Sequence, residues 1–195
     1  SGEWRNLEIL PLEVLYFNDA ASFRKQSGVK DEGVTSVLVG AGSLGSALLN
    51  LWGRSGWGQW TVIDQDHLKP HNLTRHSAYA PHVGRAKAMA VAELHEAATH
   101  GASLITPLHV DACVFTDSSV KTALMTAQLI VDASTSLEYP RAASNIEGIG
   151  RHLSVFVTPN GNAAVLLAED EKRRIRLRSV EAQYYRALIK EAWGK

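Results

Sequence analysis

The stretch "VLVGAGSLGSALLNLWGRSGWGQWTVIDQDHLKPHNLTRH", Val37 to His76, decides how the chain is read. Val37, Leu38 and Val39 form a short apolar run that meets glycine at once, as a buried parallel strand does. Gly40-Ala41-Gly42-Ser43-Leu44-Gly45 then matches G-x-G-x-x-G. The first glycine permits a tight turn, the second lets backbone approach a phosphate, and the third lets a helix sit close to the strand. A helix is predicted from about Ser43 to Gly53, with free N–H groups and a positive dipole end at its start. A second strand, Trp60 to Ile63, delivers Asp64 where an acid normally takes ribose hydroxyls. To this point a dinucleotide and ATP fit equally.

The residues that follow separate them. Asp64-Gln65-Asp66 is followed by Asn72-Leu73-Thr74-Arg75 and by Gly84-Arg85-Ala86-Lys87. Arg75 and Lys87 place two cations near the glycine turn, more than a pyrophosphate bridge needs. They suit a triphosphate whose departing pyrophosphate must be stabilised. A dehydrogenase explains Gly40 to Asp64 but leaves Asn72, Arg75 and Lys87 without a task.

The remaining pattern fixes the architecture. Residues 1–32 read as a leader that packs on the core, with a polar loop over Ser22 to Lys30. A helix is predicted over Arg85 to His100, a strand over Leu104 to Val110, and a helix capped by Asp117 running to about Ala127. Leu129 to Asp132 is a strand and Leu137 to Gly148 a helix. Leu153 to Thr158 and Ala163 to Ala168 are strands joined by Pro159-Asn160-Gly161, a hairpin signal. Glu169 to Arg178 reads as a solvated edge strand, and Val180 to Trp193 as a closing amphipathic helix with Val180, Tyr184, Leu188 and Ala192 on one face. The fold class is therefore α/β: a doubly wound, Rossmann-like, mostly parallel sheet with an antiparallel hairpin at one edge.

The totals bound the function. The chain has 195 residues, 45% hydrophobic and 21% charged, enough for one full core. Twenty basic and twenty acidic residues cancel, so the balance gives no support for a nucleic-acid partner. No apolar run reaches the length of a membrane span, and no membrane partner is expected. The single cysteine, Cys113, excludes an internal disulfide and a multi-cysteine metal site; a reducing, cytoplasmic location fits. Cys113 itself reads as a small buried apolar residue. The chain begins Ser-Gly rather than with Met, so residues 33–195 are expected to be a nucleotide-binding domain cut from a longer protein.

The ordered set Gly40–Gly45, Gly56 and Gly58, Asp64-Gln65-Asp66, Asn72–Arg75, Gly84–Lys87 and Leu129–Asp132, with Arg141 and Asn145 beyond it, resembles the ubiquitin-activating-enzyme superfamily of adenylyltransferases, the ThiF/MoeB-type group. The resemblance covers roughly residues 34–168. It implies MgATP as cofactor and adenylation of the C-terminal carboxylate of a ubiquitin-like or sulfur-carrier protein, with release of pyrophosphate. Gly40, Gly42, Ser43, Leu44 and Gly45 would form the nucleotide turn, and Asp64 would hold the ribose. Asp66 would lie near the nucleotide, and Asn72 would shape the loop and contact phosphate. Arg75 and Lys87 would act on the phosphates as the catalytic cations, and Asp132 would meet the nucleotide and magnesium. The resemblance also implies a homodimer in which a partner arginine, Arg5 or Arg24 by position, reaches the γ-phosphate.

Three departures stand against it. The family pattern D-x-x-D-N becomes Asp132-Ala133-Ser134-Thr135-Ser136, so Thr135 replaces a metal-binding carboxylate, and a hydroxyl is the poorer magnesium ligand. No cysteine follows Cys113, so there is neither a thioester cysteine nor a pair of CxxC zinc motifs. His76 stands where glutamine is common. Thr135 gives weight to a second reading, a degenerate domain that keeps the fold as a nucleotide-binding or dimerisation scaffold. His67, His71, His76 and His82 crowd one loop at irregular spacing and read as ordinary polar loop residues, with His76 nearest the site.

Overall fold

The computed structural model describes residues 2–12, 19–99 and 104–191, and of Glu3 and Trp4 the backbone alone. Helix α1 spans Ala20–Ser27, strand β1 Thr35–Val39, α2 Ser43–Arg54 and β2 Gln59–Ile63. Then come α3, Lys87–Ala98, β3, Ile105–Leu108, α4, Ser118–Thr126, and β4, Leu129–Asp132. The chain continues with α5, Glu138–Ala143, β5, Arg151–Val157, β6, Ala164–Ala168, and α6, Leu177–Lys190. The six strands form one sheet in the order β3-β2-β1-β4-β5-β6. All neighbours are parallel except β5 and β6. This is the doubly wound sheet with an antiparallel edge that the sequence predicts.

The alternation of side chains across the sheet explains the unbroken apolar run at the start of the motif. Val37 and Val39 face a core made with Val120, Leu124, Tyr139 and Ala143 from α4 and α5. Leu38, between them, faces a second core with Leu49, Trp60, Ala88 and Val91, on the side of α2 and α3. A parallel strand covered on both faces needs apolar residues at every position. The second core is closed by indoles: Trp52 and Trp60 stack at 4.5 Å, and the Trp60 ring N–H donates to the Trp57 carbonyl at 3.0 Å.

Strand order reverses at β1, which lies between β2 and β4. The connections leaving β1 and β4 run to opposite faces, so a crevice opens beyond their C-terminal ends. Gly40 makes the turn out of β1 at φ 91°, and a Cβ there would meet the Ser134 backbone at 2.7 Å. Gly45 lies against the Gly40 carbonyl, where a Cβ would sit at 1.9 Å. Only glycine lets α2 start so close beneath the turn.

Several predicted elements need correction. Residues 22–30 are not a plain loop: Asp19 accepts the Ser22 N–H at 2.7 Å and Gly28 closes α1 in the left-handed region, a complete pair of caps. Leu7, Ile9, Leu10 and Leu12 are exposed rather than packed on the core, and residues 13–18 lie outside the described residues. β3 is shorter than predicted and carries Pro107, tolerated because β3 is an edge strand. α5 stops at Ala143, where the Ser144 hydroxyl donates to the Pro140 carbonyl at 2.7 Å. α6 starts three residues early, and Ala192 and Trp193 lie outside the described residues.

The run from Glu169 to Arg178 is the largest correction. It is a turn around a buried ion pair, not an edge strand. The Glu169 carboxylate is buried and accepts Arg173 Nε at 2.6 Å, the His152 N–H at 3.0 Å and the Leu177 N–H at 3.0 Å. Arg173, at φ 52°, also donates to the Ile149 carbonyl at 2.7 Å. Burial opposes ionisation of Glu169, but Arg173 and the two backbone N–H groups prevail and hold it below the usual carboxylate range. The cluster joins β5 to the start of α6.

Burial pushes the neighbouring His152 imidazole from 6.5 down to about 4. The folded state therefore favours the neutral ring. Its contribution is complete above pH 6.5 and is lost as pH falls toward about 4. Thermal melts across that window should show a falling melting temperature, and His152→Gln should make the fall shallower; an unchanged slope would remove His152 from the acid response.

Candidate functional site

A cleft of about 670 Å³ lies beyond the C-terminal ends of β1, β2 and β4. Gly40, Gly42, Ser43 and Leu44 line it from the β1–α2 turn, and Asp64 and Asp66 from the end of β2. Asn72, Arg75 and Lys87 reach it from the long connection to α3. The far wall is Ser134, Thr135, Ser136 and Glu138, with Asp111, Cys113 and Tyr139 below. Gly45 and Asp132 are not in its lining. Gly45 supports the turn from behind, and Asp132 is buried beneath the wall.

Asp64 organises one side. One carboxylate oxygen accepts the Ala41 N–H at 2.7 Å and the other the Asp66 N–H at 2.7 Å. The carboxylate thus fixes both the glycine turn and the start of the loop after β2. Each oxygen keeps a lone pair for a further donor. Asp66 in turn accepts the Lys87 ammonium at 2.7 Å, and its backbone carbonyl accepts the Lys87 N–H at 2.8 Å. The ammonium's hydrogen bond holds the Asp66 carboxyl below its ordinary range. Around this pair the chain doubles back, with a bridge between His67 and Ala86 and the Leu68 N–H donating to the Arg85 carbonyl at 2.8 Å. The sequence-distant D-x-D and G-x-x-K segments are one substructure.

The 3₁₀ turn Pro70–Thr74 carries the rest. Asn72 accepts the Lys69 N–H with its side-chain oxygen at 2.8 Å and closes the turn. Arg75 follows it, anchored by its carbonyl, which accepts the Ser43 hydroxyl at 2.9 Å. Its guanidinium is exposed and has no hydrogen-bond or ion-pair partner among the described residues. With Lys87 and the free N–H groups at the start of α2, it places positive charge and hydrogen-bond donors on this side of the cleft.

His76 reaches the turn but not as an open side chain. Its Nδ1 accepts the Ala78 N–H at 3.0 Å, so Nε2 carries the proton and donates to the Ala41 carbonyl at 2.7 Å. Burial, with Lys87 and His82 adding to it, lowers its pKa against the opposing pull of the Ala41 carbonyl and Asp64. His76 braces the glycine turn as a neutral ring. His67 packs edge-on to His109 at 4.6 Å. Among the described residues no group of three or more His, Cys, Asp or Glu side chains could hold a metal.

Asp132 shapes the opposite wall. One oxygen accepts the Ser134 hydroxyl at 2.6 Å and the Ser134 N–H at 3.1 Å; the other accepts the Ser154 hydroxyl at 2.8 Å. Burial raises its pKa, which these three donors only partly offset. In this arrangement Asp132 organises the loop and presents no oxygen to the cleft for nucleotide or magnesium. Thr135 does face the cleft, at φ 58°, with its hydroxyl donating to the Ser134 carbonyl at 2.6 Å. A β-branched residue rarely adopts that backbone; Asp or Asn does so more readily.

Cys113 is half-buried in the wall rather than fully buried, and burial with the nearby Asp111 raises its thiol to about 11, so it stays protonated. Arg141 and Asn145 are not at this cleft: Arg141 pairs with Glu181 at 2.6 Å on the surface between α5 and α6. Arg24 is committed within its own chain, to the Gly56 carbonyl at 3.1 Å and Glu32 at 3.2 Å. Tyr139, in the cleft floor, bonds His152 through its hydroxyl at 3.1 Å, and no local motif announces it.

Fold and cleft define a doubly wound α/β domain with a polar cleft at the switch point of its sheet. Residues 21–145 match the ThiF family, and the chain belongs to that family. It is 29% identical over 146 residues to the ATP-dependent ubiquitin transferase-like protein Cap2 of Vibrio cholerae, a match covering 68% of this chain and 24% of Cap2. Solved structures share the fold. Escherichia coli MccB with AMPCPP and MccA superposes with a TM-score of 0.55 at 18% identity, over 65% of this chain and 37% of MccB. Escherichia coli TcdA, a tRNA N6-threonylcarbamoyladenosine dehydratase, superposes with a TM-score of 0.53 at 22% identity, over 62% of this chain and 51% of TcdA. The chain thus spans about a quarter of Cap2 and between a third and about half of these two structures.

Asp64→Ala removes the acceptor of two backbone N–H groups. It should lower stability by about 1.5–3 kcal/mol in chemical denaturation as well as weaken nucleotide binding. A variant with unchanged stability would mean that the turn holds its shape without the carboxylate.

Proposed function

We propose that this domain binds ATP and adenylates the C-terminal carboxylate of a ubiquitin-like or sulfur-carrier protein, releasing pyrophosphate. The observation that carries the reading is the convergence of the α2 N-terminus, Asn72, Arg75 and Lys87 on one side of the cleft, opposite the open wall at 134–136. Two cations beyond the helix terminus favour a triphosphate over the pyrophosphate bridge of NAD. The family match supports adenylation chemistry. Structures of MccB with ATP and with AMPCPP and MccA, and the name of Cap2, support a nucleotide and a polypeptide substrate.

Catalysis on this reading is positioning plus electrostatics. The substrate carboxylate is ionised at neutral pH and needs no base. Asp64 orients the ribose while the α2 terminus and Asn72 hold the phosphates, and the carboxylate is placed in line with the α-phosphorus. As the bond to the bridging oxygen breaks, negative charge gathers on pyrophosphate, where Arg75 and Lys87 stand. Lys87 exchanges its bond to Asp66 for one to phosphate. Magnesium supplies further charge neutralisation to a bound triphosphate, but the chain does not fit the expected ligand set: Asp132 is turned away and Thr135 carries no charge. Dimerisation is part of the proposal, with Arg5 or Arg24 of the partner copy as the arginine at the γ-phosphate; Arg24 would have to leave its bonds to the Gly56 carbonyl and Glu32.

Arg75→Ala should reduce ATP-dependent exchange of labelled pyrophosphate roughly 100-fold without lowering the melting temperature, because the guanidinium supports nothing in the fold. Absence of exchange in the unaltered protein, or tighter calorimetric binding of NAD than of ATP, would overturn the reading.

Thr135 favours one alternative, a domain that binds nucleotide as a scaffold without adenylation. Restoring an acid discriminates. Thr135→Asp should strengthen ATP binding with magnesium and weaken it without, since the new carboxylate attracts the cation but repels bare phosphates. Equal weakening in both conditions would mean that position 135 has no metal role.

A further inference from the structure

A second cleft, of about 450 Å³, adjoins the first; Thr135, Ser136 and Val157 line both. Its walls are Phe156 of β5, Leu167 of β6, and Leu177, Tyr184 and Leu188 of α6. The Phe156 and Tyr184 rings meet edge to face at 5.8 Å. Two charged residues of α6, Arg178 and Glu181, also line it, and Glu181 is paired with Arg141. The passage between the clefts is the left-handed turn at Thr135, on the wall opposite Arg75 and Lys87.

From this arrangement we infer that the second cleft receives a large apolar side chain, Leu or Phe in size, from the C-terminal residue of the polypeptide to be adenylated. The inference rests on the function proposed above. If Arg75 and Lys87 hold the phosphates, the attacking carboxylate comes from the 134–136 side, where the passage opens. A carboxylate there places its own residue's side chain at the mouth of the apolar cleft. A Gly-Gly terminus would leave these apolar walls uncovered. A Leu or Phe terminus covers them, and burial of such a side chain corresponds to roughly tenfold or more in affinity. The occupant is an apolar side chain rather than a polar one, because the walls are mainly apolar, with Thr135, Ser136 and Ser154 the small polar residues among them.

The test uses the whole chain saturated with AMPCPP, and two short peptides identical except that one ends in Phe and the other in Gly-Gly. Binding is followed by calorimetry. The Phe-ended peptide should bind at least tenfold more tightly. Tyr184→Ala and Leu188→Ala, at half-buried positions outside the nucleotide cleft, should each reduce that preference severalfold while AMPCPP affinity is unchanged. Circular dichroism melts of both variants establish that they fold, and either variant alone suffices. Equal affinities, preference for Gly-Gly, or binding of neither peptide to the AMPCPP complex would overturn the inference while leaving nucleotide binding intact. Tight binding of octanoate without binding of either peptide would do the same, moving the substrate to small apolar acids. Failure of AMPCPP itself to bind would instead defeat the proposed function, and this inference with it.

Discussion

The carboxylate of Asp64 holds the site together. Its two oxygens take the N–H groups of Ala41 and Asp66, tying together two segments 25 residues apart in sequence. The glycine turn is otherwise a backbone with little of its own to fix it. Asp64 at 2.7 Å, His76 on the Ala41 carbonyl at 2.7 Å and the Gly40 N–H on the Ile63 carbonyl at 2.9 Å secure it from three directions. A turn that lines a binding cleft gains from being rigid before a ligand arrives, because ordering it on binding would cost conformational entropy. Here the acid at the strand end performs that ordering in addition to facing the cleft.

The fold was legible because its signals are local and repeat. Apolar strands meeting glycine, a capped helix at Asp117 and strands alternating with helices leave few topologies, and right-handed crossovers remove most of these. The segments carrying Asp66, Asn72, Arg75 and Lys87 were legible as motifs, although it takes long-range contacts, the bridge between His67 and Ala86 and the Ser43 hydroxyl on the Arg75 carbonyl among them, to bring them to one cleft. Asp132 was not legible. A strand-terminal aspartate looks the same whether it faces a ligand or, as here, two serines, of which Ser154 lies on the neighbouring strand. Tyr139, whose hydroxyl meets His152 on β5, was hidden for the same reason: its role depends on a long-range contact.

The Glu169 region failed for a related reason. Its alternation of basic and apolar residues suits an exposed strand, and composition does not distinguish a solvated charge from a buried pair. The buried carboxylate is held by Arg173 and two backbone donors, and removing the Arg173 guanidinium would strand its charge in the interior. That dependence makes this turn a fixed joint. It sets the angle at which α6 leaves the sheet, and so the depth of the apolar cleft between α6 and β5.

The two edges of the sheet differ in kind. At one end Pro107 interrupts β3, leaving a gap in its row of N–H donors. At the other, β6 pairs among the described residues with β5 alone and carries an N–H on every residue from Ala164 to Ala168. A further strand would find an incomplete ladder on the first side and a continuous one on the second. The architecture is therefore directional: the sheet resists lengthening beside β3 and permits it beside β6, so extension in a longer polypeptide is favoured at the end remote from the glycine turn.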